Sequence, residues 1–395
     1  MYLFFVLCFF PYISILPLQT DAQPNALIMA FIIFVSVFYC QPKIKLPIDF
    51  WVYGVIFICA VFLSIKSFNF NTIRSLINYL SIFIISPVTY ILLKKYKFPY
   101  KLLNISIKIW FIVGFIQTFI YSHFLTFLSF RAMATGSHGR GVTALAPEPT
   151  FYALIAGLLL LLCLLNRQRE QLNKFNIVLC LISIFAFSKS TTVTLLIIAA
   201  FLFYLIIFIL CKDIKYFFYL FLVIIILIIL LYIIINVDIN NRLFNIIRKG
   251  IHDPQYLIKG DGSINDRFIH VFFSIKGFFE NYMFPKGFNE FNNYMQDIYL
   301  SQEYSEYLVF YRDNYTRILS GYGSVFFELG ILGVYIFISI NMQFLKTVKH
   351  RFSNMFSLIF FNFMLFMALP FVTALIPFII GNIYYLNYKC NDSKS

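Results

Sequence analysis

Apolar runs as long as a bilayer's hydrocarbon layer is thick recur along this chain, and no other feature restricts its folding so tightly. A layer of about 30 Å asks for roughly 20 helical residues. Runs near that length fall at 1–18, 26–40, 47–65, 72–93, 106–130, 149–165, 174–188, 191–211, 215–236, 322–344, 353–369 and 372–388. The expected fold is therefore all-α, a polytopic integral membrane protein of about 12 transmembrane helices. Composition agrees: with 52 Phe, 27 Tyr and 61% hydrophobic residues, the chain carries more apolar surface than a soluble core of this size can hide.

Charge gives a second reading of the same map. A net charge of +14 suggests nucleic acid until its distribution is examined. Lys43 and Lys45, then Lys94, Lys95, Lys97 and Lys101, then Arg167, Arg169 and Lys174, then Lys212 and Lys215, then Lys346, Lys349 and Arg351 occupy alternate loops. That alternation is the positive-inside signature, so these bases mark cytoplasmic loops, no nucleic-acid partner is expected, and both termini are expected to be cytoplasmic. The sequence MYLFFVLCFFPYISILPL has neither a basic leader nor a small-residue cleavage site, and reads as a retained first span. One transmembrane domain over 1–395 is expected, with a large, partly helical extracytoplasmic loop at 237–321 between the ninth and tenth spans. Aromatic density favours a folded loop. Within it, residues 266–282 place Phe268, Val271, Phe272, Ile275, Phe278 and Phe279 at helical spacing, the pattern of an amphipathic helix on a membrane surface.

Cys8, Cys40, Cys59, Cys163, Cys180 and Cys211 lie in or at the ends of apolar runs and Cys390 in the basic tail, a distribution that suggests no disulfide framework. The histidines show no ligand spacing, so no metal site and no cofactor are expected.

Candidate chemistry gathers at the expected outer ends of helices, where a charge needs a partner or a ligand. In RGVTALAPEPTF, residues 140–151, Arg140 precedes Glu148, which stands between Pro147 and Pro149. Two readings of Glu148 stand together, a helix-start carboxylate that complements the dipole and a general base. Arg131 and Arg140 either reach for lipid phosphates or bind substrate. Lys189, in the turn FSKST, is either a solitary snorkelling lysine or part of an anion pocket with its hydroxyl neighbours. Arg267 opens the amphipathic helix beside Asp266, and is either an internal ion-pair partner or a phosphate ligand. Arg317 closes the loop, and Glu328 lies near the outer end of the tenth run, where it pairs with a loop arginine or ends a substrate path. Asn281, Asn289, Asn292 and Asn293 alternate with aromatic residues from Tyr282 to Tyr299, a composition that suits sugars and membrane interfaces alike.

Four stretches taken together resemble the bacterial O-antigen polymerase and O-antigen ligase superfamily: residues 140–151, Ser188-Lys189-Ser190, residues 266–288 (DRFIHVFFSIKGFFENYMFPKGF) and residues 323–333 (GSVFFELGILG). The resemblance covers roughly residues 130–345 and lies in the order of the motifs. It implies a metal-independent glycosyltransferase that extends undecaprenyl-pyrophosphate-linked oligosaccharide at the outer face of the inner membrane. Polysaccharide chain-length regulators and membrane lipids are the implied partners, and lipopolysaccharide or capsule the implied product. On this resemblance Glu148 and Arg267 are the implied catalytic residues. Lys189 and Arg267 match the family's two cation positions and Arg140 is a third candidate, so Arg140 and Lys189 are the implied substrate-binding residues; Arg131, Arg317 and Glu328 are further substrate-binding candidates from the residues themselves. Lys189 stands where the family pattern usually carries Arg. The stretch 317–322 lacks the His that ligases of the superfamily typically present, which tilts the expectation from ligase to polymerase. A lipid-linked sugar flippase is the competitor from another class, and the clustering of ionisable residues at one face, not at mid-depth, speaks against it.

Overall fold

The structure, a computed structural model, describes residues 1–15, 20–40, 45–130, 141–167, 170–211, 242–253, 255–311 and 314–392. Among these residues the architecture is all-helical, with one isolated β-bridge between Ile13 and Ser129. Five stretches are long and apolar enough to cross a membrane: Ile48–Ser67, Phe70–Tyr96, Tyr100–Phe119, Thr191–Leu210 and Ile331–His350. Helices α3 (Ile48–Ser64), α4 (Phe70–Tyr96), α5 (Tyr100–Phe119), α8 (Thr191–Leu210) and α13 (Ile331–His350) carry them; α1 (Tyr2–Phe9) and α2 (Asn25–Cys40) precede α3, and α6 (Pro149–Leu165) and α7 (Glu170–Ile182) lie between α5 and α8. Beyond α8 come α9 (Arg242–His252), α10 (Gly262–Glu280), α11 (Phe291–Ser301), α12 (Gly321–Leu329), α14 (Asn354–Met367) and α15 (Leu375–Asp392).

Polar residues at the helix starts fix several boundaries. The Asn69 side chain accepts the Thr72 amide at 2.9 Å ahead of α4, and Asp261 Oδ1 accepts the Ser263 amide at 2.9 Å ahead of α10. Ser320 Oγ accepts the Gly323 amide at 2.8 Å ahead of α12. Helix α6 is apolar on every side and correspondingly central: Tyr152 through Cys163 are all buried. Around it α4 packs on α3 and α15, α8 packs on α14, and the rings of Phe5 and Phe9 meet Phe378 edge-on at 5.7 and 5.2 Å.

Three expected spans are redrawn. The first ends at Phe9, because Pro11 cannot continue a helical ladder, and the chain turns inward through buried Tyr12. The fifth begins at Tyr100 and ends at Phe119, with turns and a short 3-10 stretch from there to residue 130. The tenth is broken at Gly330, whose φ of +58° lies in the left-handed region. A Cβ at Gly330 would collide with the backbone of Met283, Phe284 and Pro285, so α12 and α13 are separate helices. The expected ninth span, 215–236, and loop residues 237–241 lie outside the described residues.

One end of the bundle gathers the chain reversals. Ser14 donates its amide to Leu128 O at 2.8 Å, Asn71 Nδ2 reaches Asn289 Oδ1 at 3.4 Å, and Val372 donates its amide to Asn78 Oδ1 at 2.9 Å. Over this end Ile269, Phe273, Phe291, Tyr294, Met295, Ile298, Leu308, Tyr315, Ile318 and Phe327 bury a small core of their own, between α10, α11 and α12. At the opposite end Asp49 accepts hydrogen bonds from Tyr335 Oη at 2.7 Å, Tyr384 Oη at 2.7 Å and Gln343 Nε2 at 3.0 Å. Lys94 lies there over the Tyr388 ring at 3.9 Å.

Candidate functional site

A narrow cleft, with enclosed room for about one water molecule, opens where the small core meets the bundle. Its walls come from distant parts of the chain: Asn71 and Ser75 from α4, Gly287 and Asn289 from the turn after α10, Arg317 from the segment before α12, and Glu328 from α12 itself. The rings of Phe291, Tyr315 and Phe327 complete it. Two sequence-predicted residues, Arg317 and Glu328, are thereby brought to one cavity.

Glu328 is 4% exposed. It accepts a hydrogen bond from Tyr79 Oη at 2.5 Å and another from Ser75 Oγ at 2.9 Å. Burial pushes its carboxyl up from 4.5 to about 7, against the lowering pull of the Tyr79 and Ser75 hydrogen bonds. A carboxyl so poised accepts or donates a hydrogen bond near neutral pH. Helix α12, nine residues long, is too short to cross a membrane.

Arg317 pairs with Asp21 at 2.9 Å, both side chains partly buried. Asp21 belongs to the turn between α1 and α2, so this ion pair fastens the mouth of the cleft to the start of the chain. The same turn carries Tyr12, whose hydroxyl is buried beside Thr373 without reaching hydrogen-bond geometry. Burial first, then the negative charge of Asp21 with a smaller part from Glu148, pushes the Tyr12 phenol up, while the nearby Thr373 hydroxyl and the Arg317 charge oppose. Glu148, Asp21 and Arg317 thus share one electrostatic neighbourhood around a phenol.

Glu148 is half-buried at the N-cap of α6 with Pro149 behind it, and its side chain makes no capping bond. A polar residue within α5 holds the segment that delivers it. Gln117 Oε1 accepts the Ala144 amide at 2.7 Å, and Gln117 Nε2 donates to Ala144 O at 2.9 Å and to Phe124 O at 2.8 Å. Ala144 takes a left-handed φ of 49°. Ser129 Oγ adds a bond to Ala146 O at 3.3 Å.

The segment 141–148 also touches the lysine turn. After α7 the chain winds into a π-helical stretch, Ser183–Ser188, and Lys189 follows with a left-handed φ of 46°, its side chain exposed. Val142 donates its amide to Phe187 O at 2.9 Å. A Cβ on Gly141 would collide with the carbonyl oxygens of Phe187 and Ser188, so only glycine permits this approach. Two motifs chosen from sequence are therefore neighbours in space. Arg131 and Arg140 lie outside the described residues.

Arg267 is partly buried on the second turn of α10, where its Nη1 donates to Ser263 O at 2.7 Å and Ser263 Oγ at 2.5 Å. It is not among the residues that line the cleft. Asp266 stands 3.8 Å from His270 Nε2, and that imidazole stacks on the cleft residue Phe291 at 5.4 Å. The sequence reading missed Tyr12, Asp21, Asn71, Ser75, Tyr79 and Gln117. Asp21 alone left a signal, as an acid in a loop without bases. No protein-family model matches the chain, and no curated protein matches it.

Proposed function

We propose that this chain is a metal-independent glycosyltransferase of the O-antigen polymerase type, which joins undecaprenyl-pyrophosphate-linked oligosaccharide repeat units at the periplasmic face of a bacterial inner membrane. The observation that carries the reading is the cleft. It joins a fixed cation, Arg317, a buried carboxyl, Glu328, the amides of Asn71 and Asn289, and flat rings. Amides and carboxyls suit sugar hydroxyls, and rings suit the apolar faces of pyranoses.

In this reading an acceptor hydroxyl oxygen attacks the anomeric carbon of the donor chain, and the bond from that carbon to the lipid pyrophosphate breaks. The hydroxyl proton passes to Glu148, which is not among the residues that line the cleft but shares the Tyr12 neighbourhood with Arg317, and the pyrophosphate leaves on its lipid with its charge held by cations. Arg317 is the clamp at the cleft, Arg267, Lys189 and Arg140 are the further cations supplied by the family resemblance, and Arg131 is a candidate from its place at a helix end. About twelve spans with both termini cytoplasmic complete the reading.

The test is deletion of the gene and complementation, read on a surface-polysaccharide gel. Loss of the ladder to core plus one repeat, restored by the unaltered protein but not by Glu148→Gln or Arg317→Ala present at equal level in the membrane, supports polymerase chemistry. Loss of every repeat points instead to a ligase or a flippase, and a normal ladder from either variant removes that residue from the site.

A further inference from the structure

Helix α10 turns one face to the protein and leaves another open. Ile269, Phe273, Ser274, Gly277 and Phe278 are buried, and Phe278 lies 5.5 Å from the Phe326 ring. Phe278 thus leaves the apolar surface face expected from sequence, while Phe279 stays on it at 57% exposure. The chain then enters a tight turn in which Tyr282 is 86% and Phe284 66% exposed.

This turn is rigidly made. Met283 donates its amide to Phe278 O at 2.9 Å, and Asn281 Nδ2 donates to Phe284 O and Pro285 O, both at 3.1 Å. Tyr282 and Met283 hold consecutive left-handed φ values of 52° and 64°, a backbone that side chains disfavour. A strained, well-tied turn that points aromatic rings away from the protein calls for something outside it to receive them.

Its depth follows from helix arithmetic. Ile331 donates its amide to Met283 O at 2.9 Å, and Lys286 donates its amide to Phe327 O at 2.9 Å, so the turn is bonded to the first residue of α13. Helix α13 has 20 residues, and at 1.5 Å per residue it spans about 30 Å, the thickness of the hydrocarbon layer. Its exposed residues Ile331, Ile338, Met342 and Leu345 form one stripe along the helix, the face available to lipid. The turn is bonded to the first residue of that stripe, Ile331.

The geometry points to a lipid-inserted wedge. Phe279, Tyr282 and Phe284 enter the interfacial layer of the bilayer beside α13 and hold the small core over the membrane, with phospholipid as the occupant. Aromatic rings favour that layer, where an apolar body meets a wet edge. Lys286 follows the wedge with its ammonium 3.6 Å from the Tyr294 ring centroid, a cation at headgroup height. This inference does not depend on the reaction proposed above.

The test uses the unaltered full-length protein in phosphatidylcholine nanodiscs doped with a phospholipid carrying a photoactivatable diazirine near its headgroup. Lipid adducts on residues 279–284, alongside adducts on the α13 stripe, are expected. Adducts on α13 with none on 279–284 would overturn the wedge and leave that face to solvent or a protein. In a second measurement, the fluorescence that Phe284→Trp adds to a Trp51→Phe background, with buried Trp110 as the common baseline of both proteins, is expected to be quenched at least twofold more by shallow bromolipids than by aqueous iodide. The reverse order overturns the inference, and because Phe284 is exposed the substitution leaves packing intact.

Discussion

Glu328 shows how one residue's surroundings set its chemistry. A carboxyl whose folded value is raised stabilises the fold in its protonated form, so the contribution is complete below pH 4.5 and is lost as pH rises through about 7. Thermal stability of the purified protein is expected to fall across that window by about 3 kcal/mol. Glu328→Gln is expected to flatten this dependence, its amide oxygen accepting from one of the Ser75 and Tyr79 hydroxyls while its NH2 donates to the oxygen of the other; an unchanged pH profile in the variant would show that another group governs it. Sequence drew attention to Glu328 and Arg317 because charges near a membrane boundary require partners. It could not supply Asp21, which lies 296 positions from Arg317, or Ser75 and Tyr79, whose hydroxyls look ordinary within an apolar helix. A pair formed by folding leaves no local spacing to read.

At the scale of elements, boundary chemistry decides what the apolar pattern leaves open. The apolar run 149–165 marked α6 as a span and the Pro-Glu-Pro stretch marked its start, while its burial on all sides appears only in the fold. The break at Gly330 was hidden because apolar residues flank it on both sides, and only the approach of the 283–285 backbone reveals why glycine stands there. Gln117 was hidden for a similar reason, as a polar residue inside a span. Its bonds to Ala144 and Phe124 tie the segment that delivers Glu148 to α5. Gln117→Leu leaves the Ala144 amide buried without its partner, and is expected to cost about 1–3 kcal/mol. The measurement is a lower melting temperature in detergent together with reduced polymer on the complementation gel. A variant with normal stability and activity would show that the segment holds itself.

Across the whole molecule, alternating basic loops and apolar runs predict a bundle with two chemically different ends. One end carries Asp49 with its tyrosine and glutamine donors beside Lys94, and the other carries the chain reversals, the small core and the cleft. The small core comes from a stretch whose aromatic density was legible, though its inward face was not, since both faces of α10 are rich in phenylalanine. The central claim is that the cleft end lengthens lipid-linked sugar. The most direct measurement supplies purified protein in proteoliposomes with undecaprenyl-pyrophosphate-linked repeat units as the only sugar substrate and resolves the products by size. A ladder of lengthened lipid-linked chains, lost with Arg317→Ala and Glu148→Gln in equally folded protein, is the predicted result. Repeat units that cross the bilayer or transfer to another acceptor without lengthening would contradict it.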